Sequence, residues 1–135
     1  MTAKEMFKNL GILTLPIKKK WFDMIKSGEK KEEYREIKPY YASRFYKNSI
    51  ISGISLEHIL NTNPTVYQYI ILRNGYRKDS PKIKCYCCIS KGTGKEEWGA
   101  EPNKEYYVLK ILEVIVINEW RKYKKTNGWF ISIKI

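Results

Sequence analysis

The clearest signal along this chain is the alternation of apolar and polar positions, which predicts strands more often than helices. "GILTLPI" (11–17) alternates and is rich in β-branched residues, so it reads as a strand that Pro16 confines to an edge or an end. Further strand signals lie at "VYQYIILRNGY" (66–76), "KIKCYCCIS" (82–90) and "EYYVLKILEVIVI" (105–117). In the closing "WFISIKI", Trp129, Ile131, Ile133 and Ile135 share one face, which predicts a half-buried last strand. Asn74-Gly75 and Asn127-Gly128 mark tight turns.

Helical spacing is confined to short stretches. In "KKKWFDMIKSG", Trp21, Phe22 and Ile25 repeat at helical intervals, lysines take the other face, and Gly28 suits the left-handed residue after a helix end. Trp21 is expected in the core. "KNSIISGISLEHILNTNPT" reads as an irregular excursion with one helical turn, and "NEWRKYKK" (118–125) as one or two turns. From Lys30 to Ile37 a strand would set Lys31, Glu33, Arg35 and Ile37 on one face and Glu32, Tyr34 and Glu36 on the other. Several strands, few helices and short turns predict an α+β fold, a curled sheet or small barrel with peripheral helices, formed as one domain over residues 1–135.

Charge adds a class of partner. Lys and Arg number 26 against 14 Asp and Glu, a formal net charge of +12, which favours polyanions through counterion release and makes nucleic acid the leading partner. The N-terminal apolar run is too short for a membrane span, so a cytoplasmic protein is expected. All three cysteines fall in "KCYCCIS". On a strand Cys85 and Cys88 point to opposite faces, so buried thiols are favoured over a metal site. No cofactor is implied.

Candidate chemistry concentrates in "KSGEKKEEYRE" (26–36). Glu33 and Arg35 would lie side by side, and Lys30, at the bend after Gly28, can swing toward them. Such a set could hold a polar planar ligand, with Arg35 on a phosphate or base edge and Glu33 accepting from an amine. It could instead do acid–base work, with Glu33 as base and Lys30 or Arg35 stabilising negative charge. The bland reading is a surface ion pair worth ~0–1 kcal/mol. Aromatics interleave with cations in "KPYYASRFYK" (38–47) and "EWRKYKKTNGW" (119–129), so Tyr40, Tyr41 and Tyr123 are candidates for base stacking. Gly92 and Gly94 in "KGTGKEEWG" lack phosphate-loop spacing, so that segment reads as a mobile hairpin tip whose Glu97-Trp98-Gly99 could fold over a cleft.

The segment "LTLPIKKKWFDMIKSGEKKEEYRE" resembles the N-terminal signature of the ASCH family, the activating-signal-cointegrator homology domains of the PUA-like superfamily. Its pattern G-x-K-x-x-E-x-R is matched by Gly28, Lys30, Glu33 and Arg35. The later "GYR…KIKCYCC…GTGKEEWGAEPNKEYYVLKILEV" is similar to the second half of small phage- and bacterium-type members. The likeness covers most of the chain apart from residues 47–65 and the basic tail.

The resemblance implies a PUA-like β-barrel with short flanking helices and a cleft lined by the motif. It implies an RNA or nucleotide-like ligand held by Gly28, Lys30, Glu33, Arg35, Tyr40, Tyr41 and Trp98. Some relatives are enzymes. One branch hydrolyses the acetyl amide of N4-acetylcytidine with a lysine, a threonine nucleophile and a glutamate, and ribonuclease activity is attributed to others. Here Lys30 matches that lysine, but Glu33 stands where the threonine would be. A carboxylate does not replace a hydroxyl nucleophile, which leaves a Glu33-activated water, with Lys30 and Glu33 as the catalytic pair.

Overall fold

The computed structural model describes residues 11–117 and 131–134. It is mixed α+β, one sheet with a few short helices. Strand β1 (Leu13–Pro16) leads into helix α1 (Lys19–Lys26), β2 (Glu32–Arg35), and helices α2 (Pro39–Phe45), α3 (Lys47–Ile51) and α4 (Leu56–Asn61). Three longer strands follow, β3 (Val66–Arg73), β4 (Lys82–Thr93) and β5 (Glu105–Ile117), with a 3₁₀ turn at Glu96–Trp98 between the last two. Strand β6 (Ile131–Lys134) closes the series.

The sheet order is β1-β3-β4-β5-β2, with β6 also paired to β5. β1 runs parallel to β3, Leu13 opposite Ile70 and Pro16 opposite Arg73. Pro16 therefore sits at the end of an edge strand, where its missing N–H costs no ladder bond. β2 and β6 are both antiparallel to β5. No helix among the described residues is long and apolar enough to cross a membrane.

The described residues gather in two compact units, and β3, β4 and β5 run through both. The first comprises residues 11–30, Tyr69–Tyr86, 112–117 and 131–134. Its core holds Leu15, Phe22, Ile25, Ile70, Leu72, Ile83 and Cys85. α1 ends because Gly28 adopts φ +87°, letting its N–H bond the Ile25 carbonyl at 3.0 Å while Ser27 bonds that of Asp23. The Lys30 N–H then reaches the Met24 carbonyl at 2.9 Å, turning the chain sharply.

The second unit comprises Lys31–Gln68 and Cys87–Ile111. Its core is aromatic: Phe45 meets Tyr107 edge-on at 5.6 Å, and Tyr46 lies 5.7 Å from the same ring. The Tyr46 hydroxyl donates to the Pro64 carbonyl at 2.9 Å, and burial pushes this phenol well above the usual tyrosine range.

Several expectations change. The excursion after residue 47 is helical in α3 and α4. Ser55 caps α4 by accepting the His58 N–H at 3.1 Å and Ile59 is fully buried, so a cap and one anchor suffice where periodicity is too short to read. The strand forecast for residues 30–37 contracts to β2, and the turn at Asn74-Gly75 is part of a longer connection closed by the Asn74 N–H on the Pro81 carbonyl. Trp21 is half-buried instead of in the core, because the ammonium groups of Lys20 and Lys30 lie over its ring at 4.5 and 4.6 Å. Cys85 and Cys87 are buried, and Cys88 falls on the more exposed face of β4. The helix expected at 118–125, the turn at Asn127-Gly128, and Tyr123, Trp129 and Ile135 lie outside the described residues.

Candidate functional site

β2 is four residues long, yet both of its faces are in use. Its register sets Glu33 opposite Leu109 and Arg35 opposite Tyr107, so these four share one face. α2 supplies the rings on that side. Pro39 starts this helix with a ring already at helical φ, and one turn on, Ala42 and Phe45 are buried. Tyr41 stacks on Phe45 at 5.7 Å with planes 15° apart.

Arg35 is held from two directions. Its Nη2 donates to Glu33 Oε2 at 2.7 Å, and its Nη1 donates to the Tyr41 hydroxyl at 3.4 Å. The side chains are only 12% and 8% exposed for Arg35 and Glu33, so the surface-pair valuation does not apply. Burial disfavours the guanidinium charge, but Glu33 and Tyr41 outweigh it and hold Arg35 above its usual range. Glu33 Oε1 in turn accepts the Tyr34 N–H at 3.2 Å, so both carboxylate oxygens are engaged.

Tyr107 completes this face. Its side chain is fully buried and its hydroxyl has no hydrogen-bond partner among the described residues. Burial raises its pKa, keeping it a neutral phenol with a proton to donate. Orphaned buried hydroxyls are uncommon enough that each calls for an explanation, such as a water or a ligand.

Tyr34 organises the opposite face. Its hydroxyl donates to Glu32 Oε1 at 2.8 Å and accepts the Lys95 N–H at 2.9 Å, while burial pushes its pKa far up. This corrects the expected mobile tip. The segment after β4 is pinned to Tyr34 and folded into a 3₁₀ turn, with Ala100 buried and its N–H on the Lys95 carbonyl at 3.1 Å. Gly94 is needed for close approach and not for phosphate, since a Cβ there would lie 2.6 Å from the Tyr34 ring. Trp98 is half-buried with Lys95 over its ring at 4.5 Å.

Beside Arg35, α2 carries the expected mixture of cations and rings. Tyr40 is 51% exposed and has the Arg44 guanidinium 3.6 Å from its centroid. Lys38 lies 5.4 Å from the Tyr41 centroid. Glu33, Arg35, Tyr40 and Tyr41 thus belong to one unit, and Trp98 belongs to it as well. Gly28 and Lys30 belong to the other, where Lys30 is 2% exposed with its ammonium on the Trp21 ring.

Sequence reasoning missed Tyr34 and Tyr107. Alternation alone signalled Tyr34, on the face away from Glu33. Tyr107 needed the β2–β5 register, which no local pattern encodes. No protein-family model, curated protein or solved structure matches the chain.

Proposed function

We propose that this chain binds RNA or a nucleotide-like ligand at the face built by Glu33, Arg35, Tyr41 and Tyr107. The carrying observation is the half-buried Arg35 fork, held by Glu33 and Tyr41 and register-paired with a phenol that has an unspent proton. A nucleobase edge offers complementary groups, acceptors for Arg35 and Tyr107 and an amine for Glu33. Tyr40 and Arg44 on α2, with Lys38 just before it, suit the adjoining base and phosphates, and the net charge of +12 draws in a polyanion. The G-x-K-x-x-E-x-R match supports the same reading, a PUA-like ASCH domain in the cytoplasm.

The second reading is a small hydrolase of modified nucleosides, or a ribonuclease, with Glu33 as a catalytic residue. The burial of that carboxylate favours it. The bond from Arg35 Nη2 to Glu33 Oε2 weighs the other way, because a carboxylate paired with a guanidinium is held in place as an acceptor and is less available to take a proton from water.

The test is fluorescence anisotropy of a labelled single-stranded RNA with the native protein and Arg35→Ala over a range of salt. Binding that is lost in the variant even where salt suppresses general attraction supports recognition at Arg35. Equal binding that salt abolishes in both proteins overturns it. Product formation from a modified-nucleoside panel that stops with Glu33→Gln would favour the hydrolase.

A further inference from the structure

The first unit carries an aromatic and cationic face that the site above does not use. β4 alternates strictly, with Ile83 and Cys85 inward and Lys82, Lys84 and Tyr86 on the more exposed side. β3, its neighbour in the sheet, presents Tyr69, 41% exposed. The Tyr69 and Tyr86 rings lie 4.8 Å apart, tilted by 48°, and the Lys84 ammonium rests 4.4 Å from the Tyr69 centroid. Lys82 is tied down, its Nζ donating to the carbonyls of Lys78 and Ser80, so Lys84 is the cation beside the rings.

We infer that Tyr69, Tyr86 and Lys84 form a stacking platform for a single-stranded polynucleotide. Rings held on a sheet are rigid, so stacking a base on them freezes little side-chain freedom. Such stacking tolerates any base, because every base has a π face. An exposed cation–π contact is weaker than base stacking, so a bound base displaces the ammonium from the Tyr69 ring. A strand supplies a phosphate to receive it. Burial holds the Lys84 ammonium below the usual lysine range, with Glu113 acting against that shift. The platform reads stacked bases chiefly, with one phosphate contact.

This inference shares with the proposed function only the class of ligand, and two probes separate them. Anisotropy of a labelled oligouridine and calorimetry with uridine monophosphate are measured for the native protein, Tyr69→Ala, Tyr69→Phe and Arg35→Ala. At salt high enough to suppress general attraction, Tyr69→Ala should weaken oligouridine binding by roughly tenfold, the order expected for one stacked base. Tyr69→Phe, which keeps the ring, should bind as the native protein does, and neither variant should alter monophosphate binding. Oligouridine binding that is unchanged in Tyr69→Ala overturns the platform whatever Arg35→Ala does. Loss of monophosphate binding in Arg35→Ala with an unaffected Tyr69→Ala upholds the first site alone. Weakened oligouridine binding in Tyr69→Ala beside an unaffected Arg35→Ala upholds the platform alone.

Discussion

Arg35 and Tyr107 face each other across the β2–β5 ladder, one a half-buried cation bonded to Glu33 and Tyr41 and the other a buried phenol with no hydrogen-bond partner for its hydroxyl among the described residues. The register brings a charged residue and a phenol with an unsatisfied hydroxyl onto the same face of the ladder, and that hydroxyl adds nothing to the fold's own hydrogen bonding. A core selected only for stability would fill the Tyr107 position with phenylalanine.

Tyr107→Phe should therefore separate stability from binding. Removing an unsatisfied hydroxyl from a buried site should leave the urea midpoint unchanged or raise stability by up to ~1 kcal/mol. Affinity for uridine monophosphate should fall several-fold. A clear drop in stability with unchanged affinity would show that the hydroxyl serves the fold.

The Glu33–Arg35 pair predicts the reverse. Glu33→Ala strands a guanidinium that is almost fully buried, and breaking such a pair costs about 3–5 kcal/mol. Replacing both partners, Glu33→Leu with Arg35→Met, should recover most of that loss, because no charge is then left unpaired. Denaturant unfolding of the single and double variants gives the coupling directly. Additive effects would mean that the pair is open to solvent.

Alkaline pH should unfold the protein through its buried phenols. Burial raises the pKa values of Tyr34, Tyr46 and Tyr107, so the native state keeps protons that the unfolded chain loses near pH ~10. With more protons bound in the native state, stability is intact below that pH and falls as pH rises above it. Lys84, whose pKa is lowered, acts in the opposite sense but is one group against three. Tyrosinate absorbance should show late-titrating phenols that ionise together with the loss of circular dichroism. Their independent ionisation in a folded chain would contradict the burial argument.

The legible parts of the fold were those written locally. The α1 stop at Gly28, the edge role of Pro16, the extent of β5 and the alternation that brings Glu33 beside Arg35 all follow from periods and backbone preferences within a few residues. Tyr107 was illegible because its partner lies far away in sequence and only strand register joins them. Trp21 was misplaced because a helical repeat marks an apolar face without saying that a lysine, and not the core, will cover it. Gly92 and Gly94 read in sequence as part of a mobile hairpin tip, and Gly94 proves to be a seat for a ring.

That seat yields the last prediction. The ring carbons of Tyr34 and the Cβ of Ala100 both stand 2.6 Å from where a Cβ on Gly94 would fall. Neither is the free end of a flexible chain. Tyr34 is fixed by its bonds to Glu32 and the Lys95 N–H, and Ala100 is buried. Gly94→Ala must push the loop off the ring, at a cost of about 1–3 kcal/mol by the usual measure of overpacking. Because Tyr34 lies between Glu33 and Arg35 on β2, the strain should also pass to the ion pair and weaken uridine monophosphate binding. Tyr34→Phe removes the hydroxyl that fastens the loop while leaving room for glycine, so it should free the segment with less effect on the pair. Hydrogen exchange at the Lys95 amide distinguishes the two variants: both should lose protection there, but only Gly94→Ala should also lose it at the Tyr34 amide that Glu33 accepts. Protection retained at both amides in Gly94→Ala would mean that the loop accommodates a methyl group and that the glycine is there for some other reason.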